Sequence, residues 1–565
     1  MWTRALVGDM LPEVVSPLGW SLVWETCGAL GWRDAMVRRM GFDQEEFSDD
    51  NPETIGLIGG YGYLNASHLR VWADRAPDLT VDHIDRILVN NGSPLPGHDR
   101  VSWHNPDAVA EAMLGQWYRW VMESRNQVEL DRGHEESLAC RNSRPDFTEL
   151  TDLDLVERAT SLQPLCRTLF EQHANQTLAA TIGPWVVTEI CIDIGQPAHA
   201  LRLLSGLGMI DSVSPTHALW DLSRLVHSSP SLTRFFEKGV EGLDRLLRLS
   251  NQPESTALMA GVDAMMLEVG FRGPNEWDLS SPTWDVAPDI VFAVLDRLRH
   301  CDDDQNPRVR RAHLEADRAR LVTEISGALS GATQQRFLQG IGASTAFIRG
   351  RELSRTNLMR VIHEMRLALR ELADRGVRRY DFEAADNLWM LTAKELAYYA
   401  DGGLAEVAEI SSKRRIQYEN LMDHTAPDSM IGSEEGWIPA PGQTTPGGLD
   451  RRPMEPGDVM LGSPGSPGMA QGRAKVIETD ADLATVEPGD VLVLARPNLA
   501  ATPLFVPAGA VVTDDGGSFT HAVVVARELG TPMVVGATRA SERIQAGSIV
   551  NVDGLTGVVS VAEED

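Results

Sequence analysis

The chain has 565 residues, of which 43% are hydrophobic and 23% charged, and its formal net charge at pH 7 is −30. This length allows roughly two to four domains, and the acidic balance excludes nucleic acid as a partner, because its binding needs a basic footprint. The sequence has no apolar run of the roughly eighteen residues that span a bilayer and no secretory signal, which excludes a membrane partner. Its five cysteines form no paired motif, so we expect a cytoplasmic protein.

Residues 1–426 are predicted to form a large, mostly helical domain. Apolar residues recur there at helical spacing, with charged residues on the opposite face. The clearest runs are Leu153–Ala174, Pro215–Leu249, Pro288–Arg299, Arg308–Ala328 and Leu353–Arg375.

Residues 427–458 are dense in Pro and Gly and are predicted to be a linker. About twenty flexible residues span on the order of 25 Å on average, enough to carry a small domain between two positions. Residues 459–565 then alternate short β-like segments with one or two helices, which predicts a small α/β domain and a multidomain α+β chain. The predicted strands are Ala474–Ile477, Asp490–Ala495, Ala510–Thr513, Met533–Val535, Ser548–Val552 and Gly557–Val561.

The stretch from Ala510 to Val535 predicts a strand, a polar loop, a short helix and a second strand. Gly516 and Gly517 supply backbone freedom in the loop, and Gly530 ends the helix. His521 therefore lies at a helix N-terminus behind a glycine-rich turn. Free backbone N–H groups and the helix dipole favour an anion there, so His521 is well placed to carry a phosphoryl group.

Residues 516–536, GGSFTHAVVVARELGTPMVVG, resemble the phosphohistidine signature of the phosphoenolpyruvate-utilising enzymes. In that family a mobile, swivelling domain carries the histidine. The resemblance implies that His521 is the catalytic residue and the phosphoryl carrier. It also implies that Ser518 and Thr520 hydrogen-bond the phosphoryl oxygens.

The preceding region is similar to the substrate-binding region of rifampin phosphotransferase-type proteins. The similarity is carried by WTRALVGDMLPEVVSPLGWSL, YGYLNASHLRVWADRAP, LLSGLGMIDSVSPTHALWDLSRL, GFRGPNEWDLSSPTWDVAPD and RGRELSRTNLMRVIHEMRLALRELADRG. One position departs from that pattern. The family commonly has His-Arg-Gly where this chain has Phe271-Arg272-Gly273, which puts the usual acceptor or mechanism in doubt.

Charged residues that match this pattern are candidates for phosphate clamping or acid–base chemistry. Structural ion pairs between helices explain such residues at least as often. The candidates are Arg272, Glu276, Arg351, Glu352, Arg355 and Arg366.

The resemblance covers an acceptor-binding module and a phosphocarrier, and we expect the nucleotide module to be a separate ATP-grasp protein. No glycine-rich GxxxxGK[ST] motif appears in the chain. Mg²⁺ is then expected to arrive with ATP on that partner. We predict no metal site in this chain, and the acidic residues 302–304 are interpreted as a polar turn.

The sequence thus predicts a two-component phosphotransferase that passes a phosphoryl group from the ATP-grasp partner through His521 to a small organic acceptor in the helical domain. A role in specialised metabolism is suggested by the family. Two alternatives stay open. The chain is a non-catalytic phosphocarrier or regulatory subunit, or His521 acts as a general base in other chemistry, such as dehydration.

Overall fold

The computed structural model describes residues 1–48, 53–76, 79–88, 97–424, 426–433, 436–439, 452–496 and 499–563. Helices dominate the chain as far as Met422, and short strands with few helices make up the part from Val459 onward. This confirms the prediction of a mostly helical region followed by a small α/β region. No helix among the described residues is long and apolar enough to cross a membrane.

The helices account for most of the first 422 residues. The α-helices are α1 Val7–Met10, α2 Pro17–Gly19, α3 Ala29–Arg39, α4 Ala66–Arg75, α5 Val81–Leu88, α6 Ala108–Arg119, α7 Val128–Asn142, α8 Asp152–Ser161, α9 Gln163–Asp193, α10 Ala198–Leu203, α11 Ser214–Ser228, α12 Pro230–Phe236, α13 Leu243–Arg248, α14 Pro253–Val269, α15 Asp289–Leu298, α16 Pro307–Ala328, α17 Gly331–Arg378, α18 Ala393–Ala400, α19 Leu404–Met422, α20 Asp480–Leu483, α21 His521–Leu529 and α22 Ala540–Arg543. Two π-helical segments are Trp20–Gly28 and Trp120–Ser124, and 3₁₀ segments are Gln44–Glu46, Ser102–His104, Phe147–Glu149, Asp303–Gln305, Ala385–Met390 and Leu499–Phe505.

The centre of the helical region is the pair α9 and α17, which are 31 and 48 residues long. The two backbones touch at Gly183, where an added Cβ would lie only 2.4 Å from the backbone nitrogen of Ser344. Only glycine permits this approach, because any side chain would push the helices apart. The middle of α17 is therefore held rigidly in the core, and this part carries Arg351, Glu352 and Arg355, which are all buried.

A five-stranded antiparallel sheet, which the sequence did not predict, joins the beginning and the end of the helical region. Its strands, β1 Trp2–Thr3, β2 Ile55–Ile58, β3 Tyr61–Asn65, β4 Ser429–Ser433 and β5 Gly436–Pro439, lie in the order β2-β3-β1-β4-β5. Part of the predicted linker thus belongs to this sheet: β4 pairs with the N-terminal strand β1, and β5 pairs with β4. Its residues 440–451 lie outside the described residues, and the predicted boundaries at 426 and 459 stay a prediction.

The C-terminal region is an eight-stranded sheet in the order β6-β13-β12-β8-β9-β10-β11-β7. Neighbouring strands from β8 to β11 are parallel, and α21 is the crossover between β10 and β11. The six predicted strands are confirmed, whereas β6 and β7 were missed because they are short and lie in a Gly- and Pro-rich stretch. The strands are β6 Val459–Leu461, β7 Ser463–Ser466, β8 Met469–Ile477, β9 Val491–Leu494, β10 Ala510–Thr513, β11 Met533–Val535, β12 Ile549–Asp553 and β13 Val558–Val561.

Both faces of this sheet are covered. In β9, Leu492 belongs to the large core that includes α21 and the helical region, whereas Val491 and Val493 belong to a separate core on the other face. Burial on both faces explains why β9 to β11 are almost entirely apolar. It also places α21, with His521 at its first position, between the sheet and the helical region.

Candidate active site

His521 is the first residue of α21 and is buried, with 6% of its surface exposed. Thr520 precedes the helix in an extended conformation, and Gly530 ends it in the left-handed region at φ +68°, as the sequence predicted. The N–H groups of a first helical turn have no partner within the helix. The His521 backbone N–H donates instead to Asp9 Oδ2 of the helical region, at 3.1 Å.

The imidazole of His521 contacts Glu352, which lies on α17. The distance from Nδ1 to Glu352 Oε2 is 2.6 Å, and 1% of the Glu352 surface is exposed. We assign the proton to Nδ1, because an ionised carboxylate only accepts hydrogen bonds. The lone pair of His521 is then on Nε2, which is the nitrogen that can act as a nucleophile.

Glu352 is itself held in place from two sides. Arg351 donates to Glu352 Oε1 from Nη2 at 2.8 Å, and the Ser212 hydroxyl donates to Oε2. Burial favours the neutral acid, but the interactions with His521 and with the Arg351 and Arg355 guanidinium groups outweigh it and hold the Glu352 pKa well below its usual value. Glu352 is therefore an ionised carboxylate that orients the ring of His521.

Burial also lowers the pKa of His521, and the Arg355 guanidinium lowers it further, against the opposing effect of the Glu352 carboxylate. The ring is consequently neutral near pH 7. A neutral imidazole with an oriented Nδ1–H is the form that nucleophilic attack requires.

A second buried cluster acts on the same ring. Glu276 Oε1 accepts from Arg355 Nη2 at 2.7 Å and from Arg272 Nη1 at 3.0 Å. Burial opposes ionisation of Glu276, but Arg355, Arg272 and His521 together lower its pKa. Two guanidinium groups and one carboxylate give this cluster a net positive charge, which favours the binding of an anion.

Three buried polar atoms at this site have no hydrogen-bond partner in the described part of the chain. They are Arg355 Nη1, Thr520 Oγ1 and Glu276 Oε2. Buried donors are normally paired, so two free donors next to a histidine fit a bound phosphoryl group. The carboxylates here are already paired with guanidinium groups, so the residues present do not fit a resident Mg²⁺ ion.

Other residues singled out in the sequence lie near the site without joining this cluster. Arg366 donates to the backbone carbonyls of Glu276, Asp278 and Leu279, so it supports the loop that carries Glu276. Ser518 Oγ donates to the Pro464 carbonyl at 3.3 Å.

The two loop glycines differ in conformation. Gly516 is in the left-handed region, with φ +115°, whereas Gly517 does not have a positive φ. An added Cβ on Gly517 would meet nothing within 4 Å. The loop thus needs glycine at the first position for its backbone, and the second glycine leaves open space beside the site.

Phe271, which stands where the family commonly has histidine, is buried and 3% exposed. The Arg272 guanidinium lies 5.0 Å from its ring centroid, and the His363 ring lies 6.5 Å away in an edge-on contact. Phe271 is therefore a packing neighbour of Arg272, without a polar group to offer the acceptor.

Sequence reasoning missed Asp9 and Ser212, which contact His521 and Glu352 respectively. It also missed the backbone contact in which Arg351 Nη1 donates to the Phe519 carbonyl at 2.6 Å. Neither Asp9 nor Ser212 belongs to a short motif, and both reach the site only through the tertiary fold. No local signal marks them.

A cleft lies between the N-terminal segment 4–12 and the loop that precedes His521. It has a volume of about 40 Å³ and is lined by charged and loop residues, among them Arg4, Asp9, Arg496, Asp515 and Gly517. A volume of this size holds one or two water molecules. With His521 in its observed position, this cleft has no room for a sizeable organic acceptor.

Two protein families match the chain. The family described as "Rifampicin phosphotransferase fourth domain" matches residues 172–352, and "PEP-utilising enzyme, mobile domain" matches residues 486–557. The first match contains Glu352 and the close approach of α9 and α17 at Gly183 and Ser344. The second contains His521 and its loop.

Curated relatives agree with these matches. A rifampicin phosphotransferase of Streptomyces sviceus is 26% identical over 61% of this chain and 39% of its own length. One of Bacillus cereus is 26% identical over 69% of this chain and 43% of its own. The prodigiosin synthesizing transferase of Serratia marcescens is 25% identical over 64% and 40%. The chain thus spans less than half of the length of each of these relatives.

Proposed function

We propose that this protein is a phosphotransferase component that uses His521 as its phosphoryl carrier. The proposal starts from its relation to the phosphoenolpyruvate-utilising enzymes and its similarity to rifampicin phosphotransferase. The helical region binds the acceptor, a small organic molecule with a hydroxyl or carboxylate group. The observation that carries the proposal is the buried contact between His521 Nδ1 and Glu352, which leaves the lone pair on Nε2. The charge of Arg355 acts on the same ring, and Arg355 Nη1 has no partner among the described residues.

In the first half-reaction, Nε2 of the neutral imidazole attacks a phosphorus atom of the nucleotide. The Nε2–P bond forms as a P–O bond breaks, and the nucleotide oxygen keeps the electron pair. Glu352 belongs to the helical region, so it holds the Nδ1 proton and stabilises the ring only while the carrier is docked there. This step takes place on an ATP-grasp module, and Mg²⁺ arrives there with ATP.

In the second half-reaction, the acceptor oxygen attacks the phosphorus and the N–P bond breaks, with its electron pair returning to Nε2. Arg355 and Thr520 supply donors to the phosphoryl oxygens. The proton of an acceptor hydroxyl passes to Glu276, whose Oε2 has no partner among the described residues. Positioning and charge neutralisation supply most of the catalysis in phosphoryl transfer.

The carrier region must leave the helical region between these steps, because His521 is buried in the observed arrangement. A moving carrier keeps water away from each half-reaction. The same movement opens the space that an acceptor of the proposed size needs. We propose the ATP-grasp module as a separate protein, in agreement with the sequence prediction.

The test is the intact mass of the protein after incubation with Mg-ATP and a candidate ATP-grasp protein. We expect the mass of one phosphoryl group, labile in acid and absent from His521→Ala. His227→Ala is the matched control, because His227 is an exposed histidine of the helical region and its loss should leave the adduct intact. An adduct that persists in His521→Ala would contradict the proposal.

A second candidate function is a carrier or regulatory subunit that binds no small molecule. The small volume of the cleft beside the loop favours it. Discharge of the adduct by an acceptor, in the absence of the ATP-grasp protein, would exclude this candidate. Turnover of an acceptor without any adduct would overturn both and favour His521 as a general base.

A further inference from the structure

Asp74, His98 and His104 form a cluster outside the proposed active site. Asp74 lies in the last turn of α4, and the two histidines lie in the segment 97–104 that follows α5. His98 Nε2 is 2.8 Å and His104 Nδ1 is 2.7 Å from the same oxygen, Asp74 Oδ2. All three side chains are largely buried, with exposures of 8%, 14% and 6% for Asp74, His98 and His104.

The two rings are arranged so that one nitrogen of each points to a common place. They stack at a centroid distance of 5.2 Å with an angle of 16° between their planes. The three potential ligand atoms all lie within 4.8 Å of one another. Two imidazole nitrogens and one carboxylate oxygen are the ligands that Zn²⁺ and related transition metals prefer.

The distances are close to those of a metal site. If a metal ion lay about 2.1 Å from each ligand atom, the present N···O separations would give N–metal–O angles of about 80°. A separation about 0.2 Å larger gives octahedral angles, and one about 0.7 Å larger gives tetrahedral angles. A small rotation of His98, the most exposed of the three, provides such a change.

The surrounding contacts hold the cluster together without using its ligand atoms. Arg75 donates from Nε to the His104 backbone carbonyl at 3.2 Å and forms an ion pair with Glu46 at 2.6 Å. The segment 97–104 is thereby fixed to α4 independently of the imidazole rings. Outer contacts of this kind orient ligands in known metal sites.

We propose that Asp74, His98 and His104 bind one divalent transition-metal ion, Zn²⁺. Each histidine binds through the nitrogen that now faces Asp74 and keeps its proton on the other nitrogen. The remaining coordination position is taken by water. The ion joins α4 to the segment 97–104, so it is a structural site separate from the chemistry at His521.

No metal site was predicted from the sequence, because these three ligands form no compact motif. His98 and His104 lie 24 and 30 positions from Asp74. Structural zinc motifs are recognised by pairs of ligands a few residues apart, and only the fold brings these three together.

The test is a calorimetric titration of the full-length, chelator-treated protein with Zn²⁺, at pH 7.5. We expect one ion per chain, with affinity at least about tenfold weaker in His98→Ala and in Asp74→Asn. His300→Ala is the matched control, since His300 lies outside the cluster, and it should bind as the unaltered protein does. Co²⁺ should give visible absorption bands in the unaltered protein and lose them in His98→Ala.

A second readout separates binding from folding. Zn²⁺ should raise the melting temperature of the unaltered protein and leave that of His98→Ala unchanged, because a ligand stabilises only the state that binds it. If His104→Ala fails to fold, His98→Ala still tests whether the cluster binds Zn²⁺, because the His98 ring is less buried than that of His104 and its loss disturbs the fold less. Absence of stoichiometric binding, or equal binding by His98→Ala, would overturn the proposal and leave a purely hydrogen-bonded triad.

Discussion

The helical region and the α/β region meet at His521 with different kinds of groups. The helical region contributes charged side chains, whereas the α/β region contributes mostly main-chain groups: Arg351 binds the Phe519 carbonyl, and Asp9 binds the His521 backbone N–H. Among the hydrogen bonds between the two regions described above, only His521–Glu352 joins two side chains. Main-chain groups are present in any sequence, so these two contacts do not depend on which side chains stand at positions 519 and 521.

Away from the histidine, both regions contribute charged side chains. Arg310 of the helical region donates to the Val506 carbonyl at 3.2 Å. Glu528 of the α/β region accepts from the Leu207 backbone N–H at 2.9 Å, and Arg496 donates to the Pro12 carbonyl. Within the helical region, by contrast, Glu276 is held by two guanidinium groups. The charged cluster around Glu276 is therefore held by contacts within the helical region, whereas the contacts between the two regions use side chains and main-chain groups of both.

The largest effect is expected from removing the negative charge of Glu352, which forms the side-chain contact between the two regions with His521. Glu352→Gln keeps the shape of the side chain but loses the negative charge that orients and stabilises the His521 ring. We expect phosphoryl transfer to slow by about 10²- to 10⁴-fold. Single-turnover transfer from the phosphorylated protein measures this, with circular dichroism as the control for folding. A rate within about twofold of the unaltered protein would be inconsistent with the assigned role.

The second prediction concerns the pH dependence of docking. Burial raises the pKa of Glu528 to about 7, from 4.5, against the opposing backbone N–H groups of Leu207 and Gly208. The docked state therefore binds more protons than the undocked state between about pH 4.5 and 7. Its stability is full below this window and falls as the pH rises through it, by on the order of 3 kcal/mol.

Fluorescence energy transfer between labels on the two regions, recorded from pH 4.5 to 8, measures this dependence. Glu528→Gln cannot ionise but can still accept the Leu207 N–H. It should therefore flatten the profile across the window. An unchanged slope in Glu528→Gln would assign the pH dependence to another group.

The smallest effect is expected from removing one hydrogen bond between the two regions, in which Arg310 donates to the Val506 backbone carbonyl. Arg310→Met removes the hydrogen bond to the Val506 carbonyl and keeps the aliphatic volume. We expect docking to weaken by about 1 kcal/mol, the usual contribution of one such hydrogen bond, with no change in the rate of transfer once docked. The same fluorescence assay measures the first quantity, and single-turnover kinetics the second. A large loss of rate would mean that this contact also positions His521.

Local sequence signals were sufficient for the carrier loop and helix. The strand, the turn at Gly516, the helix from His521 and its end at Gly530 all depend on residues within about twenty positions of one another. Longer runs were predicted less well. The run Pro215–Leu249 is three helices, because Pro230 starts a new one and Gly242, with φ +64°, precedes the next.

The sequence by itself determined that a histidine stands at the N-terminus of a helix behind a glycine turn, since helix ends and turns depend on neighbouring residues. Only the tertiary structure decided what faces that histidine. Glu352 lies 169 positions away and Asp9 lies 512 positions away. Such contacts arise from the packing of whole elements, here α17 against the core and α21 against the helical region. No local pattern encodes them, because the free energy that brings them together comes from buried surface spread over the entire chain.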